Sequence, residues 1–176
     1  MNRDKIYLIL GGARSGKSQY AEQLANNYSQ KIYLPTALNP DEDLKARIKA
    51  HQDRRGNSWQ TLDPSLNLAA TLNAQSNKNA VILIDCLTLW LFHLLENKRN
   101  IQETTETLIQ ALTNAKGPII MVSNEVGLSI VPENKVARQF RDAQGTLNQQ
   151  IAKTATDVLF IAAGLPLILK QSERND

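Results

Sequence analysis

A single cysteine, Cys86, stands among 176 residues, so no intramolecular disulfide can form and a reducing, cytoplasmic setting is expected. Aromatic residues are scarce, at 5%, and the basic residues behind a net charge of +3 are spread along the chain. The stacking platforms and basic stripes of a nucleic-acid binder are therefore missing, and no nucleic-acid partner is expected. Long apolar runs are missing too. The longest, AVILIDCLTLWLFHLL from position 80, is interrupted by Asp85 and His93 and is shorter than the ~20 residues of a membrane span. The opening MNRDKIYLIL runs into strand-like sequence with no cleavage pattern, so no secretory leader is read. What is there is 42% apolar content in a length that one buried core uses fully, which predicts a single domain over 1–176.

Periodicity divides that domain into alternating strands and helices. KIYLIL at 5–10 is a compact apolar run, and SQYAEQLANNY then places Ala21, Leu24, Ala25 and Tyr28 on one helical face. KIYLPT at 31–36 reads as a second strand ended by Pro35. In NPDEDLKARIKAHQDRRG, Asn39 can cap a helix, Pro40 suits its first turn, acids follow at its positive end and Gly56 stops it. Buried strands are read at 80–85 and 118–125, with helices at 86–97 and 101–115, an exposed loop at 73–79 and a long helix at 133–155. Two last strands, DVLFIAAG and LPLILK, flank a turn at 164–166. Such alternation predicts an α/β fold: a mostly parallel sheet covered on both faces, with an antiparallel C-terminal hairpin at one edge.

The chemistry starts at LGGARSGKSQ. Gly11, Gly16, Lys17 and Ser18 satisfy G-x-x-x-x-G-K-[ST] between a predicted strand and a predicted helix, the context that gives the pattern its meaning. Glycines let the loop's N–H groups converge on phosphate oxygens, Lys17 reaches the β/γ-phosphates and Ser18 offers Mg²⁺ a ligand. Such a P-loop needs an acidic partner for the metal at another strand end. Asp85 after AVILI answers to that, and to a helix cap as well. Glu125, at the end of the next strand, can assist the metal, meet an acceptor or pair with an arginine.

Of the two histidines, His93 lies among large apolar side chains and reads as a hydrogen-bonded core or boundary residue. His51 differs. Arg47, His51 and Arg55 step by four along one helical face with Arg54 beside them, and cations around an imidazole favour its neutral, nucleophilic form. That arrangement suits attack on a nucleotide phosphorus to give a phosphoramidate, although a histidine on a charged helix is more commonly plain solvated surface. Val136, Phe140, Leu147 and Ile151 read as a core-facing stripe on the long helix, leaving Arg138, Arg141 and Asp142 exposed.

The stretches GGARSGKS, KARIKAHQDRRGNSWQT, LIDCLTLWL and VSNEVGLSIVPENKVARQFRDAQGTLNQQIAKTATDVLFIAAGLPLILK, in that order, resemble the bifunctional adenosylcobinamide kinase/adenosylcobinamide-phosphate guanylyltransferase family of cobalamin biosynthesis. The resemblance implies a RecA-like P-loop NTPase fold and two activities. A nucleoside triphosphate, ATP or GTP, phosphorylates adenosylcobinamide; GTP then guanylylates a histidine, and GMP passes to adenosylcobinamide phosphate to give adenosylcobinamide-GDP. It places His51 and Lys17 in catalysis. Nucleotide contacts carry over to Gly11, Gly12, Ala13, Arg14, Ser15, Gly16, Lys17 and Ser18, to Pro35, Thr36 and Ala37, to Gln52, Asp53, Arg54 and Arg55, and to Asp63 and Asp85. Mg²⁺ falls to Ser18 and Asp85. The sequence departs from the family's common alanine at Pro35 and common glutamate at Asp63. The family is trimeric, so a homotrimer is implied, with Arg138, Arg141 and Asp142 open to the corrinoid or a neighbouring subunit. Attack at two different phosphorus atoms implies that the helix over 41–55 moves between the half-reactions. A kinase with an inert His51, and a RecA-like nucleotide-hydrolysing switch, are the alternatives on the same loop.

Overall fold

Residues 5–38 and 55–172, together with Glu42, Lys45, Lys49 and Asp53, are described by a computed structural model. Its strands are β1 (Ile6–Gly11), β2 (Gln30–Pro35), β3 (Trp59–Thr61), β4 (Ala80–Asp85), β5 (Ile119–Asn124), β6 (Asp157–Ala162) and β7 (Leu165–Lys170). They form one sheet in the order β3-β2-β4-β5-β1-β6-β7. Every pairing is parallel except β6 with β7, which close the edge as an antiparallel hairpin. The helices are α1 (Lys17–Ala25), α2 (Leu68–Gln75), α3 (Leu87–Glu96), α4 (Ile101–Asn114) and α5 (Lys135–Thr154).

A parallel sheet has to be covered on both faces, and the period-2 alternation of its strands divides the core accordingly. Leu8 and Leu10 of β1, Ile82 and Ile84 of β4, and Ile119 and Met121 of β5 pack with Leu72, Trp90, Leu91, Leu112, Leu147 and Ile151 of α2 to α5. The alternate residues Ile9, Val81, Leu83, Ile120 and Val122 face Ala21 and Ala25 of α1. Full burial of each such aliphatic side chain contributes about 1.5–3 kcal/mol. Alanines on the inner face of α1 let its axis approach the sheet closely, which keeps the helix N-terminus beside the end of β1.

The elements depart from the sequence reading in four places. β3 and α2 were not anticipated, and Asn73 and Gln75 of the expected loop belong to α2. The signal lay in Asn67, whose side-chain oxygen accepts from the Ala70 N–H at 3.1 Å, with Leu68 and Leu72 one turn apart and fully buried. The long helix begins at Lys135, because Asn134 caps it by accepting from the Val136 and Ala137 N–H groups. The hairpin turns at Ala163 and Gly164, and Pro166 already pairs with Ile161 in β7. Within the predicted apolar stripe of α5, Leu147 and Ile151 are buried and Phe140 half-buried, but Val136 is 70% exposed. It sits in the first turn, beyond the reach of the sheet. The helix read over 39–56 lies mostly outside the described residues, Asn39, Pro40 and Arg47 included; Glu42, Lys45, Lys49, Asp53 and Arg55 are helical.

Candidate active site

Register brings the functional strand ends to one line. Pro35 pairs with Asp85, Asp85 with Val122, and Gly11 with Asn124, so β2, β4, β5 and β1 finish together at the carboxyl edge of the sheet, where open α/β sheets bind their ligands. The loop after β1 is held from both sides. Glu125 donates its backbone N–H to the Gly11 carbonyl at 3.0 Å, and Gly164, at the hairpin turn, donates to the Ser15 carbonyl at 2.9 Å. Only glycine serves at position 11: with φ +149°, an added Cβ would stand 2.4 Å from the Ile161 carbonyl oxygen. Gly16 has φ +100° directly before α1, turning the helix N-terminus into the loop.

Lys17 is buried, and its Nζ donates to the Gly12 carbonyl at 2.6 Å, which bends the side chain back over the loop. Ser15 Oγ is buried with no hydrogen-bond partner among the described residues. Gly12 is half-buried, and Ala13 and Arg14 are exposed at the tip, Arg14 with φ +57°. A loop that presents its amides, a buried cation and an unsatisfied hydroxyl is built to receive phosphate oxygens. Ser18 and Asp85 supply a hydroxyl and a carboxylate, hard oxygen donors of the kind Mg²⁺ takes sparingly beside nucleotide phosphates, and α1 packs against β4 so that both belong to this edge.

Both carboxylate-bearing strand ends are pinned by hydroxyls. Thr36, 1% exposed, donates from Oγ1 to the Cys86 carbonyl at 2.6 Å and accepts from the Cys86 N–H at 2.7 Å, while its own N–H reaches the Asp85 carbonyl at 3.2 Å. Its hydroxyl is thus committed to holding the residue after Asp85. At β5, Thr88 Oγ1 accepts from the Asn124 N–H at 2.8 Å and Asn148 Nδ2 donates to the Asn124 carbonyl at 3.1 Å. Asn148 belongs to a buried cluster in which Ser123 Oγ donates to its Oδ1 at 2.7 Å and Gln144 Nε2 donates to both. This cluster fixes the residue before Glu125. Sequence reading missed it, although Gln144 and Asn148, one turn apart beside Leu147 and Ile151, mark polar groups on a buried stripe.

The remaining predicted residues are dispersed. Pro35 and Ala37 flank Thr36, half-buried at the end of β2. Asp63 is exposed and accepts from the Ser65 N–H at 2.7 Å, shaping a turn. Asp53 is exposed with Lys49 at 3.4 Å, whereas Arg55 is turned inward onto Glu22 of α1. His51, Gln52 and Arg54 lie outside the described residues. Arg138 and Arg141 are half-buried: the first donates to the Pro132 and Glu133 carbonyls at 2.8 and 2.6 Å, the second pairs with the exposed Asp142 at 2.8 Å. His93 is the boundary histidine expected. Its Nε2 accepts from the Leu38 N–H at 3.1 Å, which leaves the proton on Nδ1 to donate to Glu96 at 3.0 Å. Burial, and then the neighbouring Asp85 charge, push the Cys86 thiol up to about 11, so it is no nucleophile.

Comparison with solved structures agrees with this architecture. A Pyrococcus horikoshii protein superposes with a TM-score of 0.60 at 11% identity, over 97% of this chain and 88% of its own. The RadB recombinase does so with a TM-score of 0.51 at 15% identity, over 89% and 73%. At these identities the likeness is one of fold alone, a mostly parallel α/β sheet covered by helices. Sequence comparison is more specific. The family model described as cobinamide kinase / cobinamide phosphate guanyltransferase matches residues 7–169. A bifunctional adenosylcobalamin biosynthesis protein of Pseudomonas aeruginosa is 43% identical over 166 residues, covering 93% of this chain and 96% of the relative. Its Escherichia coli counterpart is 34% identical over 180 residues, covering 94% and 99%. With phosphate loop, strand-end carboxylates and a match over more than nine-tenths of the chain in agreement, the chain belongs to the cobinamide kinase / cobinamide phosphate guanyltransferase family.

Proposed function

We propose that the chain performs both reactions of its family at one nucleotide site: phosphorylation of adenosylcobinamide, then transfer of GMP from GTP to the resulting phosphate. In the first, the acceptor hydroxyl oxygen attacks the γ-phosphorus, the bond to the β,γ-bridging oxygen breaks, the nucleoside diphosphate leaves and the hydroxyl proton is released. The loop amides, Lys17 and the Gly16 end of α1 stabilise the charge on the transferred group and the departing diphosphate. Mg²⁺, when bound through Ser18 and Asp85, supplies further neutralisation of the phosphate charge. In the second, a neutral His51 nitrogen attacks the α-phosphorus of GTP and expels pyrophosphate, which the same loop retains. The corrinoid phosphate then displaces His51 and carries away GMP.

The observation that supports a single shared site is the common finish of β1, β2, β4 and β5, with Glu125 bonded to Gly11. In this reading Glu125 is assigned to the acceptor side of the γ-phosphate, and the segment beyond it, with Leu128 and Ile130 82% and 93% accessible, offers an apolar floor for a large macrocycle. Asp63, Asp53, Gln52 and Arg54 belong to the guanine and ribose side in this reading. β7 is exposed along its whole length and offers the edge for a homotrimer. Nucleotide substrates and a lone reduced cysteine suit the cytoplasm, and among the described residues no helix is long and apolar enough to cross a membrane.

The test is incubation with GTP labelled in the α-phosphate, followed by acid and alkali. An acid-labile, alkali-stable protein adduct that disappears in His51→Ala, with kinase activity remaining, is the expected result. Label that survives the substitution removes His51 from the mechanism; no label on the unaltered protein leaves a kinase only.

A further inference from the structure

Arg55 behaves unlike the described residues before it. Glu42, Lys45, Lys49 and Asp53 are exposed, and their ion pairs, Lys45 to Glu42 and Lys49 to Asp53, stay within the stretch. Arg55 points into the protein. Its Nη1 lies 3.2 Å from Glu22 Oε1, with the two side chains 3% and 11% exposed. Its guanidinium carbon stands 3.5 Å from the centroid of the Tyr33 ring. Trp59 of β3 meets that ring edge-on, with centroids 6.4 Å apart, so the ring cannot easily yield.

One guanidinium therefore ties three parts of the fold together. Glu22 is on α1, which starts at the phosphate-loop lysine. Tyr33 is on β2, whose end leads to Thr36 and its bond to Cys86. Arg55 closes the stretch that carries His51 four residues earlier in the sequence. A buried ion pair adds little net stability because both charges are desolvated, but it tolerates little displacement. A planar group held by a carboxylate and stacked on a ring is fixed in direction as well as position.

We propose that Arg55 is a positioning residue rather than a phosphate ligand: with Glu22 and Tyr33 it sets where the His51 stretch joins the body of the protein, and so serves guanylylation and not phosphoryl transfer. The proposal rests on His51 being the guanylylated residue. Phosphoryl transfer needs only the loop, the metal ligands and the acceptor, none of which Arg55 carries. Attack at the α-phosphorus needs His51 in line with that phosphorus, and Arg55, four residues further along the chain, is tied to α1 through Glu22.

Three variants separate the roles, each read by the single-turnover rate of α-labelled adduct formation and by kcat and KM of the kinase reaction. Glu22→Gln breaks the charge pair in a residue outside the expected nucleotide contacts, Arg55→Lys keeps the charge but loses plane and stack, and the third combines both. The expected result is a fall of about tenfold or more in adduct formation for each single variant, with kinase kcat and KM of Glu22→Gln within about twofold of the unaltered protein. The double variant should be no slower than the slower single, because the two residues act as one unit. Tyr33→Leu, which keeps an apolar filling and removes the ring, reads the same way should Glu22→Gln fail to fold. Wild-type adduct formation in Glu22→Gln, with a raised KM for GTP in Arg55→Lys, makes Arg55 a direct ligand and overturns the proposal. So does a parallel loss of both activities in all three. An unaltered protein that takes no label overturns the reading of His51 itself, a different failure seen before any variant is made.

Discussion

β4 and β7 are each six residues long, and AVILID and LPLILK are almost equally apolar, yet the first is buried up to its terminal aspartate and the second is exposed throughout. Position in the sheet makes the difference. β4 runs between β2 and β5 with helices above and below, whereas β7 pairs with β6 alone and contributes nothing to either core cluster. The one charged side chain of β7, Lys170, ties it down by donating to the Ala152, Lys153 and Ala155 carbonyls at the end of α5. Apolar content fixes that a strand wants cover; topology decides whether this chain supplies it. An edge strand with unpaired backbone groups and exposed Leu165, Leu167, Ile168 and Leu169 is a surface that the proposed trimer would cover.

The largest effect expected from this contrast is at Leu83, wholly buried in β4. Leu83→Ala should cost about 2–5 kcal/mol in urea unfolding, since the cavity lies between packed layers that cannot collapse. A loss well below that range would mean that the α1 face is looser than its packing implies. Next comes the strand's polar end. Asp85→Asn keeps the shape of a half-buried side chain, so the fold should survive while kinase turnover falls about 100-fold and the Mg²⁺ concentration for half-maximal rate rises. An unchanged metal requirement would leave Asp85 a mere cap on α3.

How much of this was legible in the sequence follows the same division. Strands in the middle of the sheet and the glycine-rich loop could be read because local pattern and tertiary setting agree there: AVILID is buried because nothing else could be done with it. α2 escaped because Asn67 and two leucines are a weak signal inside a polar stretch, and β3 because three residues are too few to show a period. Of the site, Lys17 and Asp85 were visible as motif residues. The clamping role of the threonines was not: Thr36 was read only as a nucleotide contact and Thr88 not at all, since both act through backbone groups 50 and 36 positions away, a relation that only the fold creates. Arg55 was read from its spacing as sharing a cationic face with His51; that its Nη1 meets Glu22 and its plane lies on the Tyr33 ring is a relation the sequence does not display.

On the β7 side the effects are smaller in folding energy and larger in assembly. Leu167→Lys with Leu169→Lys should shift unfolding of the isolated subunit by less than about 0.5 kcal/mol per site, because exposed side chains lose nothing on replacement. In sedimentation velocity the same variant should run as a monomer where the unaltered protein runs as a trimer. An unaltered protein that is monomeric at assay concentration would break the contrast at this point, and β7 would then need some other cover.

The smallest effect lies one residue beyond β4. With its thiol pushed up to about 11 by burial and by Asp85, Cys86 keeps its proton in the folded chain to higher pH than in the unfolded chain. Between pH 9 and 11 the unfolded state therefore binds fewer protons than the folded one, and the Cys86 contribution to stability, complete below that window, declines as pH rises through it. At pH 8 only about one thiol in a thousand is ionised, so iodoacetamide should leave the folded protein unmodified and react once urea exposes the residue. Cys86→Ala should delay the alkaline loss of stability until the phenols of half-buried Tyr7 and buried Tyr33, raised in the same direction by burial, begin to matter. Ready alkylation of the native chain at pH 8 would show that the end of β4 opens to solvent, and the strand that most resembles a closed core would then be open where the chemistry is.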